Sequence, residues 1–287
     1  MNAIKKVFTV LLFLVICASA GAQNVLDRAY IKEHNPNRKP IPYTYLREAD
    51  VMWHHRVWRV IDLREKMNFP LFYPTNEGMK DRSCLFKIIK NGCLPPDGST
   101  PKLTAYNSED SDEFIVKLNA LEIGKILTKS DTAYVNQDPA DPTSPLVPKL
   151  VTENLDPTKI KKYWIKEDWF FDKQKSVLEA RIIGVQAIRA GSGAIAGDAG
   201  TFWIYFPELR PLLAKEETFN RHNDAERMTF DDLFWKRQFS SYIFQENNVY
   251  DNRLIASYKA PSTIEVLLEA ERIKNGIFTL EHDLWHF

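Results

Sequence analysis

The sequence predicts an α+β fold: an antiparallel β-sheet core with flanking helices and an extended N-terminal arm. Aromatic and β-branched residues crowd into YWIKEDWFFD, VLEARIIGVQAIRA and TFWIYFP, the composition of half-buried strands. Helical stretches that open on capping signals follow them, at TFDDLFWKRQFSSYIFQE and STIEVLLEAERIKN. Strands and helices in separate runs, joined by hairpin-length connections, mark α+β. Pro36, Pro40 and Pro42 stand close together before all of this, where neither helix nor central strand tolerates them.

The chain opens with MNAIKK, an apolar run VFTVLLFLVI and a small-residue exit at Ala20-Gly21-Ala22. That is the form of a secretory signal peptide over residues 1–22, cut between Ala22 and Gln23. The apolar run is too short to remain as a membrane span. A lipid-anchored alternative would use Cys17, but bulky Val15 and Ile16 precede it where small residues are wanted. Loss of Lys5 and Lys6 turns a balance of 38 basic and 38 acidic residues into a small net negative charge, about −2. Nucleic-acid binding needs a concentrated basic footprint, so that class is excluded.

Residues 23–45 then read as the extended arm, polar and proline-spaced. With little apolar surface per residue, the arm is expected to order on an external template and not on its own domain. One globular α+β domain is expected over 46–287. Trp53, Val57, Val60, Ile61 and Met67 fit a helical spacing over 48–67, which Pro70 and Pro74 end. SCLFKIIKNG reads as a short helix with Ser83 at its N-cap and Gly92 past its end. Export favours a Cys84–Cys93 disulfide, worth roughly 2.5–3 kcal/mol. The helix opposes it, placing the two α-carbons on the order of 13 Å apart. The reading leans against the bond.

Five prolines at 139, 142, 145, 148 and 157 mark 136–158 as a linker. AGSGAIAGDAG, 190–200, spaces its glycines unlike a dinucleotide fingerprint and sits between strands, as a hairpin loop does. Thr229 with Asp232 forms a capping box for a helix over 229–246. Phe230, Leu233, Phe234 and Phe244 share one side of that helix; Trp235, Phe239, Tyr242 and Ile243 share the other. Two stripes imply burial between layers or a partner on the second. Trp235, Phe239 and Tyr242, with Tyr30 and Tyr43 on the arm, are therefore the candidate partner contacts. Arg237 lies within the first stripe and would need a carboxylate when buried, with Asp224, Glu226 and Asp251 the local candidates. Ser262 with Glu265 caps the last helix, which Gly276 is expected to end.

Candidate chemistry is sparse. EHDLWHF places His282 and His286 four apart, close to the H-E-x-x-H zinc signature. Asp stands where the general base Glu belongs, and only one residue follows His286 to hold the third ligand such sites take downstream. His54 and His55, read as helical, point about 100° apart. Glu167 and Asp168 sit beside aromatics, the setting of a glycan-cleaving acid, yet successive strand positions face opposite ways. The competing class is a periplasmic hydrolase working through His282 and His286 or through such carboxylates.

READVMWHHRVWRVIDLREKMNFPLFYP, YWIKEDWFFD, RIIG, FWIYFPE, FNRHNDAERMTFDDLFWKRQFSSYI, NNVYDNR and ERIKNGIFTLEHDLWHF together resemble the GldN/PorN family over nearly all of the mature chain. The resemblance implies a non-enzymatic periplasmic subunit of the type IX secretion and gliding machinery of Bacteroidetes. It implies a ring formed with a GldK/PorK-type outer-membrane lipoprotein, contact with the periplasmic part of a GldM/PorM-type inner-membrane protein, and self-association within that ring. It carries over no catalytic residue and no cofactor.

Overall fold

In the computed structural model, the described residues are 37–76, 82–108, 112–136, 146–189, 199–221, 223, 225–259 and 262–283. The chain divides into two units between Pro36 and Asn37, and every described residue belongs to the second. Tyr30, the signal-peptide junction at Ala22–Gln23 and His286 lie outside the described residues.

The elements run β1 (Val51–Asp62), α1 (Phe69–Phe72), α2 (Leu85–Cys93), β2 (Ala105–Tyr106), α3 (Ala120–Leu127), β3 (Thr128–Asn136) and β4 (Leu146–Asn154). They continue with β5 (Ile160–Asp172), β6 (Val177–Arg189), β7 (Ala199–Tyr205), α4 (Phe206–Leu213), β8 (Glu217–Thr218), β9 (Met228–Thr229), α5 (Phe230–Trp235), β10 (Tyr242–Glu246), α6 (Ile255–Lys259) and α7 (Thr263–Asp283). A six-stranded sheet in the order β10-β1-β5-β6-β7-β2 is antiparallel throughout. The expected α+β class, with helices flanking an antiparallel sheet, holds, and the three aromatic stretches are β5, β6 and β7.

Several boundaries differ from expectation, among them those of α2, which begins after Cys84 and not Ser83 and runs through Gly92 to Cys93. Residues 51–62, expected to be helical, form β1 between β10 and β5. All of its residues from Val57 to Asp62 are buried, so the two-residue alternation that marks a strand is erased and the apolar spacing mimics a helix. The expected 229–246 helix stops at Trp235, and its second half is β10. No glycine announces the stop. Arg237 itself takes the left-handed conformation (φ 52°), closing the turn through Gln238 N–H to the Leu233 carbonyl at 3.0 Å. The proline-rich 136–158 stretch contains β4, paired with β3 in a two-stranded sheet, with Pro148 opposite Tyr134. Finally, α7 runs through Gly276, where an added Cβ would meet nothing; Ile273 and Ile277 hold that turn to the core.

One face of the sheet carries the core. Ile61, Tyr163, Ile165 and Val185 pack there against α2, α4 and α5. Farther along it Val57 and Ile243 meet Ile255 of α6 and Ala270, Ile273 and Ile277 of α7. On the other face Lys166 lies under the Trp58 and Phe114 rings, 5.7 and 5.6 Å from their centroids. Gly184 makes this possible: a Cβ there would lie 2.5 Å from the Phe114 ring. Cys84 and Cys93, at opposite ends of α2, are unbonded and buried, and burial pushes the Cys93 thiol up to about 12.

Candidate functional site

The most developed side-chain cluster lies where the arm meets the sheet. β6 supplies Arg181, α4 supplies Arg210, and α5 supplies Asp231 and Trp235. Arg210 is buried and gives Asp231 a two-point contact, Nε to Oδ1 at 2.8 Å and Nη2 to Oδ2 at 3.1 Å. A guanidinium so held is a flat, fixed cation, suited to stacking. Tyr43 lies on it. The Arg210 guanidinium carbon is 4.4 Å from the Tyr43 centroid, that of Arg181 is 5.1 Å away, and the Trp235 ring stacks at 5.6 Å.

Polar contacts fix the segment on both sides of the tyrosine. Arg38 donates to Asp232 at 2.6 Å, Arg181 donates to the Thr44 carbonyl at 2.9 Å, and Lys175 donates to the Thr44 hydroxyl at 2.6 Å. Asp232 also completes the expected capping box, accepting from the Thr229 N–H at 3.1 Å while Thr229 Oγ1 accepts from the Asp232 N–H at 3.2 Å. The arm from Arg38 to Thr44 therefore has a template on its own domain, contrary to expectation. Tyr43 supplies the apolar anchor that the proline spacing concealed. Burial raises the Tyr43 hydroxyl above its ordinary value, so the ring binds in its neutral form.

Beneath the arm lies a cavity of about 290 Å³, walled by Trp169, Leu178, Ile182, Phe206 and Phe234 among others. Arg237 and Trp169 of its wall both reach the fully buried Glu167, which accepts from Arg237 Nη2 at 2.9 and 3.0 Å and from the Trp169 indole at 3.2 Å. Glu167 is thus the carboxylate Arg237 needs, found from a strand far away in sequence.

The stripe of Trp235, Phe239 and Tyr242 does not exist as a surface. Trp235 ends α5, about half exposed beneath Tyr43; Phe239 is core beside Phe234; Tyr242 begins β10 opposite Val60. The stripe required one continuous helix, and the turn at Arg237 removes it. Arg38, Arg181, Arg210 and Asp231 went unnoticed in the sequence. The one legible hint is Arg210 within the apolar FPELRPLL, a cation that an amphipathic helix must pair.

The residues of the hydrolase alternative are scattered. Asp168 is taken by Arg56 Nε at 2.5 Å and Nη2 at 2.8 Å, with His54 Nε2 at 3.4 Å. Burial works to raise its carboxyl, but the Arg56 hydrogen bonds and charge outweigh that and hold it below the ordinary range. That is opposite to what a glycan-cleaving acid needs. His54 and His55 lie on a strand, not a helix, and take different partners, His55 reaching Glu246 at 3.3 Å. His282 is exposed in the last turn of α7, 3.8 Å from its neighbour Asp283. Among the described residues no group of three His, Cys, Asp or Glu side chains could hold a metal.

Apolar side chains also face outward. On α7, Ile264, Leu267 and Leu268, and farther on Phe278 beyond the exposed Glu271–Lys274 pair, face outward, opposite Val266, Ala270, Ile273 and Ile277, which pack inward. Two apolar faces on one helix, expected at 229–246, occur here instead.

Fixed cations on aromatic faces thus seat the chain's own extended segment on an α+β domain that also turns apolar side chains of α7 outward. Residues 46–286 match the model of a protein family described as gliding motility associated protein GldN. The chain belongs to that family and is a component of gliding-motility machinery. Comparison with curated proteins gave no match.

Proposed function

We propose that the protein is an exported, non-enzymatic structural subunit of the type IX secretion and gliding machinery. In this reading it works in the periplasm, forms a ring with a GldK/PorK-type lipoprotein of the outer membrane, and touches the periplasmic part of a GldM/PorM-type protein. The single observation that carries it is the family match over 46–286. The exposed Ile264, Leu267 and Leu268 in the first turns of α7 add support, since neighbouring apolar side chains held in solvent mark interaction sites. Among the described residues no helix is long and apolar enough to cross a membrane. The reading assigns attachment to the outer membrane to the lipoprotein partner.

The test is complementation of a gliding strain that lacks this gene. The wild-type chain and a His282→Ala, His286→Ala variant should restore spreading and secretion equally. A well-folded variant that restores neither would favour the metal hydrolase.

A further inference from the structure

The outward side of α7 has a regular composition. Ile264, Leu267, Glu271, Lys274 and Phe278 stand three and four residues apart, the spacing of a helix-pairing seam, and all five are exposed. On the inward side Ala270, Ile273 and Ile277 hold the helix to the core, so the seam has a fixed direction.

Along the seam the order is apolar, apolar, acid, base, apolar. Glu271 and Lys274 are each about half exposed and bond one another along the helix at 3.1 Å. Ile264, Leu267, Leu268 and Glu271 are related as i, i+3, i+4 and i+7, the four positions that frame a hole for one side chain of a facing helix. Phe278, 68% exposed, is a side chain of the size to fill such a hole, and it lies on the far side of the charged pair.

We propose that α7 pairs antiparallel with α7 of a second copy, Phe278 of each entering the hole framed by Ile264, Leu267, Leu268 and Glu271 of the other. A two-fold axis midway between Glu271 and Lys274 sets Leu267 opposite Phe278 and Glu271 opposite Lys274 of the other copy. The outward apolar side chains of both helices are then covered, and the acid and base pair across the contact as well as along each helix. A parallel pairing would set Glu271 on Glu271 and Lys274 on Lys274, so charge selects the antiparallel one. An unrelated helix would have to carry this same order in reverse, which a second copy supplies by symmetry. The inference deepens the self-association in the proposed function and rests on it.

Cysteine cross-linking of the full exported chain tests the direction, since Cys84 and Cys93 are buried and do not interfere. A Leu267→Cys chain mixed with a Phe278→Cys chain should form disulfide dimers on oxidation. Either chain alone should not, because like positions lie about 16 Å apart along the antiparallel pair, too far to bridge. Phe278→Asp should weaken self-association about tenfold in sedimentation, with the melting temperature unchanged. Glu271→Lys should weaken it too, and adding Lys274→Glu should restore it. Dimers formed as readily by each single-cysteine chain as by the mixture overturn the inference. So does a Phe278→Asp chain that loses the lipoprotein but associates with itself like wild type. A wild-type chain that captures the lipoprotein yet sediments as a monomer overturns the inference and leaves the proposed function standing. A chain that does neither sinks both.

Discussion

Tyr43 stacks on Trp235 with ring centroids 5.6 Å apart and planes inclined by 24°. Two arginines flank the pair, so one arm residue joins an aromatic ring and two cations of the sheet domain. Tyr43→Ala should therefore free residues 37–46 at a cost of about 2 kcal/mol, from one aromatic pair and two cation–aromatic contacts. Trypsin should then cut faster at Arg38 and Arg47, while the sheet domain stays intact. Unchanged cleavage and an unchanged melt would show that the seat holds nothing.

Glu167 is the most demanding group in the core, fully buried with Arg237 as its cation. Arg237→Ala should destabilise the fold by about 3 kcal/mol or more, since it leaves a buried carboxylate unpaired. Glu167→Gln with Arg237→Ala should recover part of that loss. A double-mutant cycle by urea denaturation measures the coupling.

Legibility in the sequence followed local physics. β5, β6 and β7 were visible because aromatic and β-branched side chains declare a pleated surface. The Thr229–Asp232 box was visible because a cap is a local bond. β1 was not, because a strand covered on both faces loses its alternation. The turn at Arg237 was not, because a residue other than glycine is held left-handed beside a tertiary ion pair with Glu167. Of the arm seat only Tyr43 and Trp235 were singled out, and for a different reason. Arg181, Arg210 and Asp231 meet there only through the fold, which no spacing records.

The thiols give a direct check on export chemistry. Burial raises Cys84 as well as Cys93, so neither supplies a thiolate near neutral pH. Without reductant, the mature chain should show no reaction with a thiol reagent while native and two reactive thiols once denatured. Two thiols lost after denaturation would mean a disulfide.

Acid should erode stability through Asp62 and Asp168. Arg64 hydrogen bonds draw the Asp62 carboxyl down, and Arg56 outweighs burial at Asp168. A carboxylate with a depressed folded value contributes stability that is present above its unfolded value, about 3.9, and lost as pH falls through the folded one. Denaturation midpoints should thus fall below about pH 4, and Asp168→Asn should flatten that limb. An unchanged acid limb in the variant would remove Asp168 from the explanation.

Copurification is the most direct measurement of the role in an assembly. A C-terminally tagged chain captured from detergent-solubilised envelopes should bring down an outer-membrane lipoprotein in near-equal amount, and the pair should sediment as one large particle. A chain recovered alone as a monomer, with stoichiometric zinc or glycan-cleaving activity, would contradict the structural role.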